Sequence, residues 1–332
     1  MVTQTLESNA SGGRGIRPMD PMRDLEGIAD LIEIAFADDM RYGGQQIMRD
    51  LRMMHRLRPL FWALQAVSPS LRAFFSGFVW IEQGRVVGNV TISRVDPHTQ
   101  TWLISNVAVL PEYRRRGIAR RLMEAAHEHI RTHGGRRIVL QVRQDNDAAH
   151  TLYESMGYET VGSLVDLAAH RPRPPSAAPP SDVRVRWPNA RHWRQAYHLM
   201  NRVASPLVKM IRPPRASRLA SSPPSPLTSL FERLGMPARR QWWAYQNGVI
   251  VGLAFAERNR HTSTLELFVG ETITGAVEMA LLHKALAFLR HTRLVRTEVD
   301  AQQHTTLRAL EAVGFQRIRV LDQMVLPLEK PF

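Results

Sequence analysis

The spacing of apolar and polar positions divides the chain into short blocks. Residues 77–81 and 85–93 are rich in β-branched and aromatic side chains and flank Gln83-Gly84, which predicts a hairpin. Residues 101–110 predict a further strand. At Ile118 the period changes: Ile118, Leu122, Ala126 and Ile130 recur every four residues, the stripe of an amphipathic helix. Residues 138–143 read as a buried strand. Ala149, Leu152 and Met156 then form the apolar face of a helix that Asn146 can cap and Gly157 can end. Tyr153 stands one residue from that stripe. Upstream, residues 15–20 lead into a helix with apolar Leu25, Ile28, Leu31, Ile32 and Ala35. The order over residues 15–167 is β-α-(helical insert)-β-β-β-α-β-α-β, and residues 1–14 read as a polar, disordered leader.

A Pro-rich stretch from Arg171 to Ser181 interrupts this pattern and predicts an extended linker over residues 168–182. Residues 183–332 read as a worn copy of the first half. Gly84 and Gly88 correspond to Gly248 and Gly252 at an offset of 164, and Gly157-Tyr158 to Gly314-Phe315 at an offset of 157. Between them the pattern predicts strands at 265–269 and 294–299 and helices at 277–289 and 305–313. A repeat of this length means tandem domains.

Chemistry concentrates where the strand over 101–110 meets the helix at Ile118. No Ser, Thr, Asp or Asn stands at residues 114–117 to cap the free N–H groups; Arg114, Arg115, Arg116 and Gly117 stand there instead. Uncapped N–H groups, a positive helix end and arginine forks make a site for an anion, phosphate above all. Gly117 lets the backbone approach a diphosphate with no Cβ in the way.

The spacing Arg114-x-x-Gly117-x-Ala119 resembles the (Gln/Arg)-x-x-Gly-x-(Gly/Ala) signature of the GNAT superfamily of N-acetyltransferases. Asn146-x-x-Ala149-x-x-x-Tyr153-x-x-x-Gly157-Tyr158 resembles a second motif of that family. The resemblance implies an α/β fold of two tandem GNAT-like domains, each a mixed, mostly antiparallel sheet flanked by helices. It implies acetyl-coenzyme A as acetyl donor, its diphosphate on the N–H groups of Arg115, Arg116, Gly117, Ile118, Ala119 and Arg120 with Arg114 adding charge. The pantetheine arm would run along Val107 and Val109, a main-chain N–H near Val107 would hold the oxyanion, and Asn146 would hold the cofactor or a water. Tyr153 would be the general acid. No carboxylate lies on the strand over 101–109, so a water relayed by Ser105 or Asn106, or a residue of the insert over 41–76, would take the amine proton. A small-molecule amine is the first acceptor in view and a protein amine the second.

In the second half Gly270-Glu-Thr-Ile-Thr-Gly275 stands opposite the arginine loop, and Gln303, Thr306 and Leu310 opposite Asn146, Ala149 and Tyr153. Leucine gives no proton, so this half is expected to be non-catalytic, although Glu266 lies on the strand where many family members carry a base.

Composition narrows the remaining classes. The 332 residues contain no cysteine, which removes disulfides, thiolate metal sites and a Cys nucleophile, and no metal site is expected. No apolar run reaches the roughly 18 residues of a membrane span, and the first 13 residues carry no signal-like core, so a cytoplasmic enzyme is expected. Of the net charge of +14, residues 171–332 carry +13, from 24 Lys/Arg against 11 Asp/Glu. These arginines are scattered and no nucleic-acid motif is present, so a solvated surface is preferred to a nucleic-acid or ribosome-binding module. An acyl-coenzyme A sensor that binds without transferring is the other alternative.

Overall fold

A computed structural model describes residues 14–36, 76–96, 99–175, 181–219, 236–259, 262–270 and 275–328. The insert expected over 41–76 lies outside them except for Ser76. The chain forms two compact units: one built from Met1–Val142, Asn146–Thr160 and Met324–Phe332, the other from Arg143–Asp145 and Val161–Gln323.

In the first unit β1 (Arg14–Pro18), β2 (Ser76–Glu82), β3 (Arg85–Asp96), β4 (Thr101–Val109) and β5 (Arg137–Arg143) are adjacent in that order. The first three junctions are antiparallel and β4–β5 is parallel. The β2–β3 turn is the Gln83-Gly84 pair, both at positive φ (50° and 76°), as a type I′ hairpin requires. Helix α1 (Pro21–Ala35) starts at Asp20, whose side chain accepts from Met22 N. Behind it Asp24, 2% exposed, accepts two 2.6 Å hydrogen bonds from the Arg17 guanidinium and one from Asp20 N, so its buried charge is satisfied. Helix α2 (Ile118–Thr132) buries the expected stripe, Ile118, Leu122, Ala126 and Ile130, against the sheet. Helix α3 (Asp147–Glu154) comes after β5. The chain end completes the unit, with Leu328 N donating to Arg136 O at 2.9 Å.

One strand departs from the sequence order. β6 (Glu159–His170) comes directly after the first half, yet from Leu164 to His170 it pairs antiparallel with β11 (Leu294–Asp300) and builds the second unit. It also runs to His170, past residue 167.

The second unit repeats the plan. Short β7 (Arg184–Arg186) leads through helices α4 (Trp193–Val203) and α5 (Pro206–Ile211) to β8 (Ala238–Gln246), beside which it pairs. β8, β9 (Val249–Arg258) and β10 (Thr262–Val269) run antiparallel, and β10 pairs parallel with β11. Helices α6 (Ala276–Leu289) and α7 (His304–Ala312) come after β10 and β11, within a residue of the expected bounds.

The repeat is visible as packing. A Cβ on Gly88 would stand 3.0 Å from Ile118 Cγ2 and Leu122 Cδ1; one on Gly252 would stand 2.7 Å from Val277 Cγ1 and 3.0 Å from Leu281 Cδ1. Both glycines let the major helix of their unit, α2 or α6, lie close on the hairpin.

Candidate active site

The site of the first unit begins where β4 leaves β5. Their register holds only from Thr101–Ile104 against Arg137–Leu140, so the rest of β4 is not paired with β5. On its other edge β4 pairs with β3, Ser105 with Thr91 and Ala108 with Asn89, leaving Asn106 and Val107 opposite Val90 alone. This is a bulge, and Asn106 takes φ 52° to make it. Asn89 holds it: the side chain is fully buried and its Nδ2 donates to Asn106 O at 2.9 Å. Asn89 is the residue sequence reasoning missed. Its only signal was one carboxamide inside the apolar run Val-Val-Gly-Asn-Val-Thr-Ile. Val107 and Val109 are half-buried along the same stretch and pack on the core.

The loop after β4 carries the charged cluster. A 3-10 turn, Pro111–Tyr113, precedes Arg114, and two residues of the loop then adopt left-handed backbone, Arg115 at φ 60° and Gly117 at φ 76°. Gly117 is the N-cap of α2 and supplies no side-chain cap, as expected. The first N–H that the helix satisfies is that of Arg121, which donates to Gly117 O at 3.1 Å; the earlier ones point out of the helix start. A Cβ on Gly117 would meet no protein atom within 4 Å, so the space above the N-cap is open. Ile118 is buried and offers this space only its main chain.

Three arginines are oriented by protein groups. Arg114 Nε donates to Val109 O at 3.1 Å, Arg116 Nη2 to Glu112 O at 2.9 Å, and Arg120 Nη2 to Ser155 Oγ at 2.6 Å. Each keeps further N–H groups for a ligand. The result is a backbone-lined, positively charged start of a helix, suited to a diphosphate.

Helix α3 carries the second motif. Asn146 caps it, Oδ1 accepting from Ala149 N at 3.2 Å, and the residue is exposed. The burial of α3 differs from the expected stripe. Tyr153 is its one fully buried residue, while Ala149, Leu152 and Met156 are partly buried. The helix has only eight residues, and the Tyr153 ring reaches the core beside Tyr158, 5.8 Å between ring centres. Burial pushes the Tyr153 phenol up to about 12. Its hydroxyl has no hydrogen-bond partner among the described residues. Behind it Tyr158 OH and His127 Nε2 are 2.8 Å apart, and burial lowers His127 to about 4, so this pair is neutral near pH 7.

The second unit keeps the frame and loses the groups. β10 and β11 also part after three pairs, but β9 and β10 pair without a break from Glu257–Gly252 against Thr264–Val269, so no bulge forms. Gly275, at φ 68°, caps α6 without a side chain, like Gly117; residues 271–274 lie outside the described ones. Leu310 is fully buried where Tyr153 stands in the first unit. Glu266 is held by Arg218 through two hydrogen bonds of 2.9 and 3.0 Å, and Glu298 by Arg212 at 2.5 Å. The segment bearing both arginines is thus tied to both diverging strands. No group of three or more metal-ligating side chains occurs among the described residues, and no helix there is long and apolar enough to cross a membrane.

A mixed sheet whose two parallel strands part beside an uncapped, arginine-flanked helix start defines the class of the first unit. Residues 45–158 match the model of the acetyltransferase (GNAT) family. N-alpha-acetyltransferase 30 of Schizosaccharomyces pombe is 37% identical over 84 residues, 24% of this chain and 55% of that protein. N-alpha-acetyltransferase RimI of Mycobacterium tuberculosis is 39% identical over 80 residues, 24% of this chain and 49% of that protein. The chain spans about half the length of these curated relatives. Whole-chain similarity is to solved acetyltransferase folds. A tandem GNAT protein from the clavulanic acid biosynthesis pathway superposes with a TM-score of 0.60 at 16% identity, covering 96% of this chain and all of that one. A GCN5-related N-acetyltransferase from Sphaerobacter thermophilus gives 0.65 at 18% identity, covering 95% and 96%. The fold of the whole chain is that of tandem GNAT proteins.

Proposed function

We propose that this chain is an N-acetyltransferase that takes an acetyl group from acetyl-coenzyme A and passes it to a primary amine in its first unit. The observation that carries this reading is the uncapped, left-handed Gly117 start of α2 lying at the open end of the bulged strand β4. Acetyl-coenzyme A supplies the activated acyl group when bound. The N–H groups from Arg115 to Arg120 and the oriented guanidinium groups hold the diphosphate. The free edge of β4 at Val107 and Val109 pairs with the amides of the pantetheine arm, as an added strand would. At the bulge, a main-chain N–H near Val107 would polarise the thioester carbonyl and stabilise developing negative charge.

The amine nitrogen attacks the carbonyl carbon directly, the C–S bond breaks, and Tyr153 gives its proton to the departing thiolate. Its elevated pKa keeps the phenol protonated at any working pH. A water held by Ser105 or Asn106 takes the amine proton. Asn146, free beyond its capping oxygen, steadies cofactor or water.

The second unit does not transfer acetyl groups in this reading. Leu310 replaces the acid, and Glu266 is engaged by Arg218. A small-molecule amine is the first acceptor to test. The relatives' names favour a second reading, a protein α-amine, because they are called N-alpha-acetyltransferases. Calorimetric titration of acetyl-coenzyme A into the full chain tests the proposal. One site per chain, lost in Gly117→Glu, supports it; two sites, or none, would overturn it.

A further inference from the structure

We propose that the second unit carries a separate binding cleft for small anions borne on a planar ring. The cleft is about 640 Å³, the size of a site for a drug-sized molecule, and is lined by Arg184, Arg186, Trp187, His192 and Tyr245 among others. β7 places Arg184 opposite Tyr245 and Arg186 opposite Trp243, so both guanidinium groups rise from the same face of the sheet as the Tyr245 ring. Val185, between them, points the other way and packs against the cluster under α6. The two arginines stand about 7 Å apart as alternate residues of a strand, a spacing that one phosphate or carboxylate with its waters can bridge. Neither has a carboxylate partner among the described residues. Asp182, the cleft's one carboxylate among its lining residues, is held by Gln246 Nε2 at 2.7 Å.

The rings supply the second element of recognition. His192 and Tyr245 meet edge to face, 6.3 Å between centres, and Trp187 adds a third surface. A flat ligand ring can stack on such walls while its anion faces the arginines. Trp187 Nε1 and His192 Nδ1 are enclosed with no hydrogen-bond partner among the described residues. The ordinary role of such arginines is to guard a sheet edge from further pairing, since β7 ends the sheet. That role alone requires neither a 640 Å³ cleft nor the three rings around it.

The shared chemistry fits a nucleoside monophosphate or an aromatic carboxylate. Adenosine monophosphate, benzoate, adenosine and inorganic phosphate would each be titrated calorimetrically into the full chain. Expected is one site for adenosine monophosphate or benzoate, at least about tenfold weaker for adenosine or inorganic phosphate, and about tenfold weaker in Arg184→Ala/Arg186→Ala. The lysine pair Arg184→Lys/Arg186→Lys, which keeps charge but loses the fork, would restore part of the affinity. Equal binding of inorganic phosphate and the ring-bearing anions would overturn the proposal. So would binding that the double alanine variant keeps, or that Gly117→Glu removes, which would assign the ligand to the first unit. No binding of any probe would return the arginines to edge protection.

Discussion

The open space above Gly117 can be tested against an internal twin. Gly117 and Gly275 hold the same post in the two units, N-cap of the major helix, at φ 76° and 68°. An alanine at either must adopt left-handed backbone, at about 1–2 kcal/mol. Neither Cβ clashes: at Gly117 it meets nothing within 4 Å, and at Gly275 it touches Thr305 Cγ2 at 3.6 Å. Gly117→Ala and Gly275→Ala are therefore expected to lower the melting temperature alike, by roughly 2–8 °C for units of this size. Only Gly117→Ala places a methyl group where a diphosphate would meet the helix N–H groups. Loss of one charge-assisted hydrogen bond there costs about 1.5–3 kcal/mol, or roughly 10- to 100-fold in acetyl-coenzyme A affinity. Scanning calorimetry reads the stability and titration calorimetry the affinity. The reasoning is refuted if Gly117→Ala binds like the wild type, or if Gly275→Ala loses as much.

The same neighbourhood yields two more expected outcomes. Tyr153→Phe removes a hydroxyl with no protein partner among the described residues from a buried ring, so stability and acetyl-coenzyme A affinity should hold while turnover falls about 100-fold or more; an unchanged turnover would remove Tyr153 from the chemistry. His127 is lowered to about 4 by burial, so the unfolded chain binds its proton first as pH falls. Stability should therefore be full above about pH 6.5 and decline toward pH 4, by up to about 3 kcal/mol from this residue. In His127→Gln the urea midpoint should fall less steeply across that window, and an identical slope would show that another group controls it.

Most of the element order was legible because it rests on local physics. The four-residue stripe from Ile118 to Ile130, the hairpin glycines and the cap at Asn146 act within a few residues, and the structure places each within a residue or two of its expected position. Tyr153 shows the limit of such reading. Helical spacing put it beside the stripe, but in a helix of eight residues burial is set by what lies beneath, here Tyr158 and His127.

By itself the sequence determined the two-fold repeat, the α/β class, the uncapped arginine-rich helix start and the absence of an acid at Leu310. These are properties of residue type and short spacing. Tertiary structure alone decided which strands pair: β6 joins β11 rather than closing the half in which it is encoded, because an unpaired edge accepts any strand that chain length and register bring to it. It also decided that Asn89 props the bulge under Asn106, that Arg218 engages Glu266, and that Arg184 and Arg186 rise beside Tyr245. Each of these joins residues at least 17 positions apart, and their meeting depends on strand register and sheet order, which no local pattern encodes.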